Sequence, residues 1–104
     1  MSKSRYQRYK SVMQKDTDCC MICGSPRMLE WHHIFGAANK KNSEKYGLMV
    51  RLCHNCHNEP PHGVHHNAEL MRSLRRHGQM VFEEIHSREE FVRIFGRNYI
   101  YETD

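Results

Sequence analysis

Two Cys-x-x-Cys pairs constrain this chain more than any other feature of its sequence. The first pair, Cys20 and Cys23, stands in CMICG, and the second pair, Cys53 and Cys56, stands in CHNC. Each pair can present two thiolates to one metal ion, and two such pairs are typical of a tetrahedral zinc site. The sequence therefore predicts a structural Zn²⁺ ion with four cysteine ligands and no coordination position left open for catalysis.

The composition shows why such an ion is useful. Only 38% of the 104 residues are hydrophobic and the mean hydropathy is −0.84, so the core is thin for a single domain. Five cysteines fit a disulfide framework poorly, and no apolar segment resembles a secretory signal or a membrane span. We therefore expect a cytoplasmic protein with reduced thiols, in which Cys19 is a spare cysteine.

Local patterns predict one α+β domain over residues 1–104, with a core at about 18–67 and a helical extension at about 68–104. Strand composition marks LEWHHIF and LMVRLC, and the polar segment between them is predicted to be a loop with a helical turn at 43–46. Helical patterns are expected in four further places, which are residues 4–15, HNCHNE, residues 65–86 with an interruption around Gly78, and a last helix that Ser87 and Glu90 cap and Gly96 closes.

Two adjacent histidines, His32 and His33, lie in the first predicted strand. Because side chains alternate along a strand, the two imidazoles point to opposite faces and cannot share one function. The interval of 29 residues between Cys23 and Cys53 contains both of them, and His57 directly follows the second cysteine pair. A closed site of four cysteines leaves these histidines available for other chemistry.

In combination these motifs resemble the HNH endonucleases, which form the ββα-metal or His-Me finger class. The matching segments are CMICG, LEWHHIF and LMVRLCHNCHNE, within about residues 20–67, and they are similar to the branch of the family that zinc stabilises. A looser likeness, in HHIFGAANKKNSEKYGL and GVHHN, is to small HNH proteins encoded by phages and prophages. The resemblance implies a ββα-metal core with flanking N- and C-terminal helices, and metal-dependent hydrolysis of DNA phosphodiester bonds.

The resemblance also assigns roles to the histidines. It implies that His33 is the general base that activates water, a role that suits imidazole because it titrates near neutral pH. It implies that His32 and His57 bind one catalytic divalent cation, for which Mg²⁺, Mn²⁺, Ni²⁺, Co²⁺ and Zn²⁺ are all candidates. His65 is the favoured third ligand, with His62 as the alternative.

One position departs from the family pattern. The asparagine that orients the general base in the family falls at Leu48, whose side chain cannot form a hydrogen bond. We expect a backbone carbonyl, Asn39 or Asn42 to orient His33 instead.

The charge of the chain favours a polyanionic partner, since the net charge is +4 and the pI is about 8.9. DNA is the predicted partner, RNA suits the same features, and no membrane is expected. No segment matches a base-reading motif, so sequence specificity should be low, and both a monomer and a homodimer fit the sequence. The basic residues predicted to contact phosphates are Lys40, Lys41, Lys45, Arg51, Arg72 and Arg76.

The competing interpretation is a non-catalytic module that binds nucleic acid or protein and retains a degenerate HNH site. Leu48 favours it, and so do Pro60 and Pro61, which interrupt the regular helical spacing of metal ligands in the family. A cleavage assay distinguishes the two interpretations.

Overall fold

The computed structural model describes residues 9–100 of the chain. Within this range a two-stranded antiparallel ribbon and four α-helices form an α+β fold, as predicted. Short 3₁₀ turns at Ala37–Asn39 and Val64–His66 lead into the first and third helices. In chain order the elements are β1 (Leu29–His33), α1 (Lys40–Tyr46), β2 (Met49–Cys53), α2 (His54–Asn58), α3 (Ala68–Phe82) and α4 (Arg88–Phe95).

The ribbon fixes the direction of the two adjacent histidines. Its strands pair in register from Leu29 opposite Cys53 to His33 opposite Met49. His32 is only 3% exposed, whereas His33 is half-buried on the other face of β1. The alternation expected from the sequence therefore separates the two imidazoles.

The segment after β1 contains a longer helix than the sequence indicated. A helical turn was predicted at 43–46, but α1 has seven residues and ends at Gly47, which takes a left-handed φ of 73°. The buried Ser43 hydroxyl donates to the Phe35 carbonyl at 2.7 Å and accepts from the Phe35 N–H at 3.0 Å. These two bonds fasten α1 to the chain just beyond β1, which is a tertiary contact that local propensity does not reveal.

The predicted N-terminal helix is wrong for residues 9–15, which contain no helix; residues 4–8 lie outside the described range. The Ser11 hydroxyl accepts hydrogen bonds from the two backbone N–H groups at positions 13 and 14, at 3.1 and 2.9 Å. The Gln14 side chain accepts from the backbone of β2 at 2.8 Å. Side-chain bonds of this kind compete with helical hydrogen bonding and hold the segment against the ribbon.

The predicted interruption around Gly78 is also wrong, because α3 runs unbroken through it. Gly78 is buried, and a Cβ at this position would lie 3.0 Å from the Ile34 side chain. The glycine therefore allows α3 to approach the end of β1 closely rather than breaking the helix.

The last helix begins and ends as predicted. The Ser87 hydroxyl accepts from the Glu90 N–H at 3.0 Å, and Gly96 closes α4 with a φ of 95°. The Glu90 carboxylate turns back to His86, 3.3 Å away. This N-cap and the C-terminal glycine fix the length of α4.

The hydrophobic core lies between the ribbon and the two C-terminal helices. The Phe35 ring centre is 5.3 Å from that of Phe91 and 4.9 Å from that of Phe95. Leu48 is completely buried in this core, so the position of the expected asparagine is a packing position. Among residues 9–100, no helix has the length and apolarity needed to cross a membrane.

Candidate metal centres and active-site cleft

Four cysteine thiols converge where β2 meets α2. The Sγ atoms of Cys20, Cys23, Cys53 and Cys56 all lie within 4.8 Å of one another. The Sγ atoms of Cys23 and Cys53 are 3.6 Å apart, and Zn–S bonds of about 2.3 Å in a tetrahedral site require separations of about 3.8 Å. The predicted grouping of these cysteines is confirmed, and the cluster is compatible with a structural zinc site.

The thiols of this cluster have strongly different acidities. Burial alone raises the pKa of Cys20, but backbone N–H groups of Cys23, Cys53 and Ile22 lower it to about 7. Burial and the neighbouring thiols raise the pKa of Cys56 well above its ordinary value. Cys20 therefore ionises readily, whereas ionisation of Cys56 is favoured only with a cation among the sulfur atoms. This donor set fits zinc.

Three histidines form a second cluster, contributed by β1, α2 and the turn before α3. The ligand nitrogens of His32, His57 and His65 lie within 4.8 Å of one another, and the Nε2 atoms of His57 and His65 are 3.0 Å apart. Nitrogen ligands about 2.0–2.1 Å from one ion lie about 2.9–3.4 Å from each other. The structure thus brings together the three residues that the sequence favoured, whereas His62 is exposed beside the cysteine cluster.

The buried member of this cluster has an unsatisfied nitrogen. Nε2 of His32 has no hydrogen-bond partner among the described residues, although buried polar atoms are almost always paired. Burial, followed by the charges of His57 and His65, lowers the pKa of His32 to about 3. The ring is therefore neutral and offers a lone pair, which fits a divalent cation at this position.

A carboxylate that sequence reasoning missed supports the histidine cluster. Glu30 Oε1 accepts from Nδ1 of His57 at 2.7 Å and from the Asn58 amide at 2.9 Å, and Oε2 lies 3.0 Å from Nδ1 of His54. Burial alone raises the pKa of Glu30, but the hydrogen bonds from His57 and His54 lower it. With Nδ1–H donated to Glu30, His57 turns the lone pair of Nε2 toward the cluster. Strand alternation in the sequence indicates this neighbour, because Glu30 lies two residues before His32 and therefore shares its face of β1.

On the other face of β1, His33 pairs with a second unpredicted carboxylate. Nε2 of His33 lies 2.7 Å from Glu44 Oε2, and the two side chains are 20% and 36% exposed. Asn39 and Asn42, which were expected to orient His33, instead donate to backbone carbonyls at the end of α4, at 3.0 and 3.3 Å. Glu44 lies one helical turn into α1, so only the folding of α1 against β1 brings it to His33.

A cleft of about 510 Å³ opens where β1 ends, so both faces of the strand reach it. His32, His33 and His65 line it together with Arg75 and Arg97. No carboxylate belongs to its lining within residues 9–100. Two guanidinium groups, with no carboxylate beside them in the described lining, make this cleft suitable for an anionic ligand.

The six basic residues predicted to contact phosphates lie outside the lining of this cleft. Three of them are exposed on α1, around Glu44, and a fourth stacks over Trp31 on the ribbon at 5.2 Å. The other two belong to α3, where the neighbouring Arg75 enters the cleft lining instead. In chain order the six are Lys40, Lys41, Lys45, Arg51, Arg72 and Arg76.

No family model, curated protein or solved structure matches this chain. The chemistry of the two clusters therefore carries the functional conclusion. Four thiolates close the coordination shell of an ion, whereas three imidazoles leave positions open to solvent and substrate.

Proposed function

We propose that this protein is a metal-dependent endonuclease of the HNH type that hydrolyses phosphodiester bonds in DNA. The observation that carries the proposal is that the two faces of β1 contribute adjacent histidines to two different sites, a candidate metal site and a candidate general base. His32 joins the three-histidine cluster on one face, His33 pairs with Glu44 on the other, and both residues line the same cleft. This arrangement agrees with the roles that the family resemblance implies, and it favours a ββα-metal core made of β1, β2 and α2.

The histidine cluster is the candidate site for the catalytic cation. His32, His57 and His65 would hold the ion, and Glu30 would fix the orientation of His57. When bound, a divalent cation supplies positive charge that stabilises the phosphorane and the leaving oxygen. The cysteine cluster is assigned to a structural Zn²⁺ ion, because its four ligands leave no open position.

His33 is the candidate general base. Because Glu44 accepts at Nε2, the favoured tautomer carries its proton there and leaves Nδ1 as the proton acceptor. A water between Nδ1 and the substrate phosphorus would then lose its proton to His33 as it attacks. Glu44 also stabilises the imidazolium ion that results, because its carboxylate is already in place.

A plasmid-nicking assay tests the proposal. Protein freed of loosely bound cations is resupplied with Mg²⁺ or Mn²⁺, and wild type is compared with His33→Ala and with His77→Ala, a control at an exposed histidine outside the cleft. We expect His33→Ala to slow nicking about 10²–10⁴-fold, the usual contribution of a general base, and His77→Ala to act like wild type.

Two results would contradict the proposal in different ways. Equal nicking by wild type and His33→Ala would remove the base assignment. Absence of nicking by wild type with every divalent cation would favour the non-catalytic binding module.

A further inference from the structure

Two arginines contact one aromatic ring in the wall of the cleft. The guanidinium carbons of Arg75, on α3, and Arg97, after α4, lie 5.7 and 5.1 Å from the centre of the Tyr99 ring. Guanidinium groups stack favourably on aromatic faces, and this contact restricts their orientation. The two residues come from different parts of the chain, so the tertiary fold brings both of them to this ring and into the lining of one cleft.

Tyr99 is a fixed support for this arginine pair (Arg75 and Arg97). Its side chain is buried, and its ring centre lies 5.0 Å from that of Phe35. Its backbone N–H donates at 2.7 Å to the side chain of Gln79, which is completely buried in α3. A rigid support reduces the entropy lost when the arginines bind a ligand.

The surroundings of the arginine pair favour an anion. Both residues line the cleft beside His33 and His65, and the described part of the lining contains no carboxylate. Nε of Arg75 is buried and has no hydrogen-bond acceptor within residues 9–100. A buried donor without an acceptor, in a cleft whose described lining contains no carboxylate, points to a ligand that supplies acceptor oxygens.

We propose that Arg75 and Arg97 bind one phosphate of the DNA backbone and hold it in the cleft beside His33. A planar guanidinium donates two parallel hydrogen bonds to phosphate oxygens, so the pair positions the strand as well as attracting it. The choice of DNA as the ligand rests on the proposed function. The C-terminal part of the chain then contributes directly to substrate binding, since α3 carries Arg75 and the segment after α4 carries Arg97.

DNA binding in a His33→Ala background tests this proposal without cleavage. Anisotropy of a fluorescent duplex of about 20 base pairs is measured over a range of salt concentrations, because each phosphate contact adds about 0.9 to the slope of log K against log salt. Arg75→Gln and Arg97→Gln should each weaken binding about tenfold or more, since charged hydrogen bonds are lost. The double variant should lower the salt slope by about 0.9, because the two arginines share one phosphate.

Arg93→Gln is the matched control, because it removes the same charge from an exposed position on α4, outside the cleft lining. We expect it to weaken binding less than about threefold, as a distant surface charge does. The proposal is overturned if the double variant binds with the affinity and salt slope of this control. Circular dichroism checks folding, and if Arg75→Gln does not fold, the exposed Arg97 decides the matter through Arg97→Gln alone.

Failure of this inference and failure of the proposed function give different results. If the arginine pair governs binding but wild type nicks no DNA with any cation, hydrolysis is refuted and the phosphate site stands. If wild type nicks DNA while binding does not respond to the arginine pair, the phosphate site is refuted and hydrolysis stands.

Discussion

Cys23→Ser should abolish the zinc binding proposed for the cysteine cluster without disturbing the core. Cys23 is the one exposed member of the cysteine cluster, so replacing its sulfur by oxygen costs no buried packing. Cys19→Ser is the matched control: Cys19 is outside the cluster, and its thiol contacts the backbone carbonyl of Asp16 at 3.7 Å. A difference between the two variants therefore reports loss of a metal ligand.

The expected loss of stability follows from how few backbone hydrogen bonds hold residues 9–28 against the ribbon. Residues 9–28 contain no helix or strand, and three backbone hydrogen bonds join them to the ribbon region, from Val12 to Gly47, from Met21 to Arg51 and from His54 to Met28. Three such bonds contribute about 3 kcal/mol, whereas structural zinc contributes about 10–16 kcal/mol. Losing even a third of the contribution of zinc binding lowers the free energy of unfolding by about 3–5 kcal/mol and lowers Tm by about 12 °C or more.

Zinc content per chain and thermal unfolding followed by circular dichroism measure the effect. We expect Cys23→Ser to contain one zinc ion fewer per chain than Cys19→Ser and to unfold at a much lower temperature. Cys19→Ser should stay within about 2–4 °C of wild type, as surface substitutions usually do. Equal zinc content and equal Tm in the two variants would refute the four-cysteine zinc site.

Three further predictions concern Glu30, which contacts His57, Glu44, which contacts His33, and Leu48, which occupies the position of the expected asparagine. Glu30→Gln should lower the Mn²⁺ or Zn²⁺ affinity of the histidine cluster about 10–100-fold in a titration, because Glu30 orients His57. Glu59→Gln should leave this affinity unchanged, because the Glu59 carboxylate contacts His54 but not His57. Equal affinities in the two variants would contradict the role of Glu30. Glu44→Ala should reduce kcat for nicking about tenfold or more with little change in DNA affinity. Glu44→Gln should restore most of the lost kcat. An unchanged kcat in Glu44→Ala would show that His33 needs no partner. In denaturant unfolding, Leu48→Asn should destabilise the fold by about 3–5 kcal/mol, because it loses apolar burial and buries an amide. Leu48→Met should destabilise it by less than about 1.5 kcal/mol. Equal losses of stability in the two variants would mean that the site tolerates a polar group.

The sequence predicted those elements whose signals are local. Both strands follow from composition and alternation, and α4 follows from the Ser87 cap and Gly96, which act within a few residues of the helix itself. The convergence of the four cysteines was predictable because each Cys-x-x-Cys pair is a local turn with fixed spacing. These features need no knowledge of how distant segments pack.

The parts that sequence reasoning missed depend on tertiary packing. Gly78 was expected to interrupt a helix, yet its missing side chain makes room for Ile34. Glu44 reaches His33 only because the buried Ser43 holds α1 against the end of β1. Leu48 occupies the core where a polar residue was expected, and the task of orienting His33 passes to a different element. Each of these depends on a neighbour distant in sequence.

The short helix α2 sets a limit on how the length of this chain can vary. Cys53 immediately precedes it, and Cys56 and His57 are consecutive residues within it, so the two clusters share one turn of backbone. Each residue turns a helix by about 100°, so an insertion between Cys56 and His57 would swing the imidazole away from His32. Related chains should therefore differ in length in their loops, while the spacing from Cys53 to His57 stays invariant.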